Sequence, residues 1–164
     1  ESRALLANMI SLSARRGEWE QAEVCAHRLL ALDPDSTQAV EALASAALAR
    51  RDWQAASNYG AELTCKNPDS FEAWFNLGVA RQHLKLPGDA AKAFEEAVRA
   101  MPEVLFCYGV SGSDDYILHV IARDLDDFYE SVFNRIRRLP LVKRTQTMFA
   151  MKTVKASLAV PVAP

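Results

Sequence analysis

Over the first hundred residues, apolar positions recur with the 3.6-residue spacing of amphipathic helices. The segments come in pairs. Ala4 to Arg15 is followed by Trp19 to Ala31, and Thr37 to Arg50 by Trp53 to Cys65, each pair joined by a short polar turn. Pro34, Pro68 and Pro102 stand 34 residues apart, and counting from them Ala22, Ala56 and Ala90 fall into register, as do Leu29, Leu63 and Ala97, with Trp19 matched by Trp53. A proline cannot continue the helix before it, so each repeat stops where the next must start. Asp35-Ser36-Thr37 and Asp69-Ser70 then offer side-chain oxygens to the unpaired amides of the next helix. The pattern predicts an array of helical hairpins.

After Pro102 the period changes to two. Val104, Phe106, Tyr108 and Val110 alternate with smaller or polar residues, Ser111-Gly112-Ser113-Asp114 makes a turn, and Tyr116, Leu118 and Val120 resume the alternation, which predicts a β-hairpin. Asp124 is a good N-cap. Leu125, Phe128, Tyr129, Val132, Phe133 and Ile136 then lay one apolar stripe along a helix ending near Leu139-Pro140, expected to cover one face of the sheet. Thr145, Thr147, Phe149, Met151 and Thr153 alternate as a final strand, before an Ala/Val/Pro tail over 158–164 that is expected to fray.

The third 34-residue unit carries Trp74, Leu77, Gly78, Ala90, Phe94, Ala97 and Pro102 at signature spacing, and through them the chain resembles the tetratricopeptide repeat family. The first two units are degenerate, with Leu6 and Val40 at the tryptophan position and Ile10 and Ala44 at the glycine position. The resemblance implies a right-handed superhelix whose concave face, lined by the first helix of each pair, binds an extended peptide or a partner helix. Its inward positions map onto Asn8, Ser11 and Arg15, then Glu41, Ser45 and Leu48, then Phe75, Asn76, Val79 and Gln82. Phe75 and Val79 are expected to act as apolar anchors for that partner, with the polar side chains bonding its backbone. The basic and asparagine set that some members use to clamp a C-terminal carboxylate is not reproduced, since Ala7 and Ser11 hold its first positions.

The run from Phe94 to Gly112, together with Asp115-Tyr116-Ile117-Leu118 and Leu139-Pro140-Leu141-Val142-Lys143-Arg144-Thr145, resembles the effector-binding, dimer-forming domain of the Lrp/AsnC regulators. That resemblance implies a ferredoxin-like βαββαβ fold and amino-acid effectors held near the hairpin turn at a subunit interface. Only Gly112, Asp115 and Tyr116 carry over to that role. The family's helix-turn-helix reader is not seen ahead of this segment, so direct operator binding is not expected. Its first strand is also missing: Phe75, Leu77 and Val79 can be read with period two, but Trp74, Leu77, Gly78 and Arg81 fit the helical hairpin better. In the ferredoxin-like arrangement that strand is central, and without it the last strand has no neighbour beside the hairpin. The helix Ala90 to Met101 belongs to both patterns, as it would in a chimera, natural or engineered, spliced at a common helix.

Composition narrows the chemistry. Half of the 164 residues are hydrophobic and the formal charge is −2, so no whole-molecule attraction to nucleic acid or to an anionic membrane is expected. Cys25, Cys65 and Cys107 form no CxxC pair, and His27, His83 and His119 are isolated, so neither a disulfide framework nor a metal site is indicated and a reducing cytoplasm is expected. No run of apolar residues approaches bilayer length, and no signal-peptide layout opens the sequence. No GxGxxG, P-loop, HExxH or GxSxG occurs; Asp114-Asp115 reads as a solvated turn. Arg135, Arg137, Arg138, Lys143 and Arg144 read as hydrated cations complementing a helix C-terminus. Trp19 and Trp53 read as packing between hairpins.

The sequence thus predicts a mainly α protein with an α+β C-terminal part. Tetratricopeptide-like repeats over 1–102 share a helix with a ferredoxin-like segment over 90–157. The expected role is a non-enzymatic scaffold, without cofactor, that binds a protein or peptide partner. The alternatives are an amino-acid-sensing domain that dimerises through its C-terminal sheet, and an engineered chimera without evolved function.

Overall fold

A computed structural model describes residues 2–110, 116–139 and 142–150. Six helices form three consecutive hairpins: α1 (Arg3–Arg16) with α2 (Trp19–Leu32), α3 (Thr37–Ala49) with α4 (Trp53–Lys66), and α5 (Phe71–His83) with α6 (Pro87–Arg99). Serine caps open the first helix of each pair. The hydroxyls of Ser2, Ser36 and Ser70 accept from the backbone N–H of Leu5, Ala39 and Ala73 at 3.2, 3.4 and 3.2 Å. The chain between paired helices turns through a left-handed residue at the same repeat position each time, Gly17 (φ 73°), Arg51 (φ 60°) and Lys85 (φ 60°). Glycine takes this conformation without a Cβ penalty; Arg51 and Lys85 bear it in the other two repeats. Residues 71–83 are helical, so the period-two reading of Phe75, Leu77 and Val79 does not hold.

Small and large residues trade places inside the hairpins. In the third, a Cβ added at Gly78 would stand 2.4 Å from Phe94 Cε1, so the glycine makes room for the ring. In the first the exchange is reversed: Ile10 fills the space and Ala26, at the repeat position of Phe94, gives way within one buried cluster. The second has Ala44 and Gly60, and an added Cβ at Gly60 would lie 3.3 Å from Leu77 Cβ of the next repeat. One large and one small residue thus fill the first and third pairs, as close packing requires, while the small second pair leaves room that Leu77 of the next repeat approaches.

Successive hairpins stack chiefly through the second helix of one and the first helix of the next, α2 on α3 and α4 on α5. Ala39 and Ala73, and likewise Ala46 and Ala80, are buried. Trp53 stacks on His83 of the next repeat, ring centroids 3.9 Å apart and planes 7° from parallel. Arg50 makes a two-pronged ion pair with Glu23, its Nη2 donating to Oε1 at 2.9 Å, which joins the second hairpin to the first.

Beyond the array, β1 (Val104–Gly109) and β2 (Tyr116–Val120) form an antiparallel hairpin, with Tyr108 opposite Ile117, Cys107 opposite Leu118 and a bulge between Val104 and Phe106. Helix α7 covers residues 125–138: an α turn Leu125–Phe128, a π-helical stretch Tyr129–Phe133 and an α turn Asn134–Arg138. The N-cap is Asp124, whose carboxylate accepts from Asp127 N–H at 2.8 Å.

Two expectations are corrected here. The apolar stripe of α7 does not cover a sheet face. Phe128, Val132 and Leu139 enter a cluster with Phe71 and Phe75 of α5 and Ala90, Phe94 and Ala97 of α6, which among the described residues of the hairpin only Val104 and Val120 join. Aromatic residues on α5 offer the deeper surface; most of the hairpin is exposed. The final strand is also absent through Ala150, and the rest of that segment lies outside the described residues. A strand needs a hydrogen-bonding neighbour, and the residues that would supply it are wound into α5.

Candidate interaction surface

The first helices α1, α3 and α5 display the residues expected to line a groove. Asn8, Arg15, Glu41 and Gln82 are exposed on three separate helices, and Ser45 and Asn76 are half-buried. Ser11 is already engaged: its hydroxyl donates to Ala7 O at 3.1 Å and accepts from Gln38 Nε2 at 3.0 Å. The same Gln38 amide donates to Ala7 O at 2.9 Å, tying α3 to α1 across this face. Gln38 escaped the sequence reading because its role is set by the neighbouring helix rather than by its own spacing.

Phe75 and Val79 are not the open anchors that the sequence leads one to expect, but are covered by the chain itself. Phe75 is 9% exposed, and Val79 packs against the same cluster, which the chain's own α7 completes. Phe75 lies 5.8 Å from the ring of Phe71 and 6.1 Å from that of Phe94. Two guanidinium groups of α7 close over them, Arg135 at 5.7 Å from the Phe71 centroid and Arg138 at 5.1 Å from that of Phe75. Each also faces a carboxylate: Arg138 Nη1 is 3.4 Å from Glu72 Oε1, and Arg135 Nη1 is 3.7 Å from Glu103 Oε2. Arg137 sits over Phe133 at 5.5 Å. These arginines are thus docking groups as well as charges at a helix end. A signal was present in the repeat register, where Phe71 and Phe75 replace Thr37 and Glu41 of the preceding unit.

The start of α7 is held electrostatically. Arg123 donates to Asp127 through its side chain, Nη2 to Oδ1 at 3.0 Å, and through its backbone N–H at 2.9 Å, and Ser131 adds a hydroxyl at 3.1 Å. The guanidinium hydrogen bond first, then the backbone N–H, hold the Asp127 carboxyl well below the usual carboxylate range. A carboxyl depressed on folding stabilises above its unfolded pKa, and that contribution disappears as acid protonates the folded form. Lowering the pH from 5 toward 2 should therefore loosen α7 in wild type. In Asp127→Asn this part of the pH dependence should vanish, as read from urea midpoints across that range; an unchanged profile would exclude it.

Of the three residues assigned to an effector, Gly112 and Asp115 lie outside the described residues. Tyr116 opens β2, and its hydroxyl donates to Glu95 Oε1 on α6 at 2.9 Å. Large apolar side chains of the hairpin stand open around it, among them Leu105, Phe106, Tyr108 and Ile117, the last two 55% and 52% exposed. Among the described residues no group of His, Cys, Asp and Glu is arranged to hold a metal ion, and no helix is long and apolar enough to cross a membrane. The cysteines are free, Cys25 buried and Cys65 and Cys107 exposed.

Stacked helical hairpins with a 34-residue period define a helical-repeat protein. The tetratricopeptide repeat family matches residues 11–64 and 42–103, and the chain belongs to that family. The Lrp/AsnC ligand binding domain matches residues 81–160. Both matches include α6, as the shared helix requires. Among curated proteins, the chain is 32% identical over 77 residues to the Bkd operon transcriptional regulator of Pseudomonas aeruginosa, covering 47% of this chain and 50% of the relative. It is 29% identical over 70 residues to the transcriptional regulator AzlB of Bacillus subtilis, covering 43% and 45%. Identity to the leucine-responsive regulatory protein of Haemophilus influenzae is 29% over 89 residues, 54% of each. The chain spans about half the length of the curated relatives it matches.

Proposed function

We propose that the protein is a non-enzymatic interaction scaffold whose repeat array receives a peptide or partner helix along the face of its first helices. Membership of the tetratricopeptide repeat family carries this reading, and the open polar side chains of the first two repeats support it. Asn8, Arg15, Glu41 and Ser45 offer donors and acceptors of both charges there, while Gln38 and Ser11 hold the two helices in fixed relation, which limits the ordering lost on binding. Asn76 and Gln82 extend the same face into the third repeat. Capture on the immobilised protein, repeated with Asn8→Ala combined with Glu41→Lys, tests it. A specific partner should be lost about ten-fold or more, as for removal of a few central contacts, at unchanged melting temperature. Equal recovery by the variant removes the reading.

A second reading belongs to the C-terminal part, favoured by the match over residues 81–160 and by the open apolar hairpin. A two-stranded hairpin is marginal alone, and covering Phe106, Tyr108 and Ile117 by a second copy would relieve their exposure. A small amino acid would then bind near the turn, by Gly112, Asp115 and Tyr116. A dimer mass by light scattering, with selective thermal stabilisation by one amino acid, is the expected result; a monomer stabilised by none opposes it.

A further inference from the structure

We propose that the α5 face bearing Phe71, Phe75 and Val79 is a helix-binding site that α7 holds in cis, and that its external ligand is an amphipathic helix presenting aromatic or branched apolar residues at i, i+4 and i+8 with arginines at i+7 and i+10. The proposal rests on the scaffold reading and names the partner's chemistry.

The third repeat departs from the others where a bound helix would lie. Positions occupied by Thr37 and Glu41 in the second unit, and by Arg3 and Ala7 in the first, are Phe71 and Phe75 in the third. α7 meets them as a groove ligand would, through Phe128, Val132 and Ile136 on one stripe. Its arginines answer the site's charges, Arg138 toward Glu72 and Arg135 toward Glu103, while each guanidinium also lies over a ring. Apolar floor, aromatic walls and two carboxylates therefore specify a basic amphipathic helix.

The resident helix fits this site imperfectly. Glu103 Oε2 is buried with no hydrogen-bond partner among the described residues, and the Arg135 nitrogen stands 3.7 Å away, beyond hydrogen-bonding distance. The stretch Tyr129–Phe133 is π-helical, so the stripe of α7 is not carried by a regular α-helix. Leu125 and Tyr129 remain 52% and 43% exposed. A regular helix that brings a guanidinium into hydrogen-bonding range of Glu103 satisfies the site better and competes for it.

The test uses a labelled synthetic peptide of residues 124–139 and fluorescence anisotropy on the full chain. Wild type should bind it weakly, because the site is filled. Val132→Asp, which expels α7, should bind about ten-fold or more tightly, as expected when the competent fraction rises. Adding Phe75→Glu should abolish the gain, and a peptide with glutamine in place of its two docking arginines should lose most of its affinity. If circular dichroism shows that Val132→Asp disturbs the repeats, Arg138→Glu, exposed and paired with Glu72, replaces it and should still bind more peptide than wild type. No gain in the folded variant, or a gain indifferent to Phe75→Glu, overturns the proposal. Capture that depends on Glu41 would then still leave the scaffold reading standing, so the two failures are separable.

Discussion

Phe94→Ala is expected to destabilise the protein by about 3–5 kcal/mol, the range for truncating a buried aromatic side chain. The ring is 4% exposed and lies where a Cβ on Gly78 would otherwise be. The sharper expectation concerns the pair. Gly78→Ala in wild type brings a methyl within 2.4 Å of the ring and should itself destabilise, overpacking outweighing the gain of about 1 kcal/mol in helix propensity. In the Phe94→Ala background the obstacle is gone, and Gly78→Ala should become neutral or stabilising. A double-mutant cycle by urea denaturation measures this coupling. Additive effects would mean that the two residues do not share the space.

Phe128→Ala should cost about 3 kcal/mol for the C-terminal part, at the lower end for aromatic truncation because the residue sits at the edge of its cluster. Its ring meets those of Tyr129, Phe133 and Phe149 edge-on or tilted at 5.4–5.9 Å, and it seals the contact of α7 with Phe71 and Phe75. The loss should be local. Hydrogen exchange should show α7 and the hairpin deprotected while α1 to α4, whose clusters contain none of these residues, stay protected. Deprotection spread evenly through the array would contradict it.

The repeat array was legible because its information is local. A period of 34 with prolines in register, and serines just before each first helix, specifies hairpins whatever lies around them. The glycine at 78 was legible together with Phe94, whereas Ile10 looked out of place; its compensation by Ala26 becomes visible only when the two positions are compared as a pair. The double use of α6 was legible too, since both patterns run through the same residues. What escaped was tertiary. The stripe on α7 required an apolar surface but did not say which, and a sheet was the surface the second resemblance implied. Phe71 and Phe75 already held the answer, being aromatic where their repeat partners are not. The final strand was read from alternation alone, although the same sequence had removed its neighbour. Asn8, Arg15 and Glu41 stand exposed on the first helices of the first two repeats, while Phe75 in the third is covered from within.

The chain passes from array to C-terminal part through α6, whose inner side, Ala90, Phe94 and Ala97, belongs to the cluster that α5 and α7 complete. Neither end of α6 is accordingly a place where the cluster divides. Cutting before Pro87 would strip the repeats of their last wall, and cutting after Arg99 would leave the remainder without a floor.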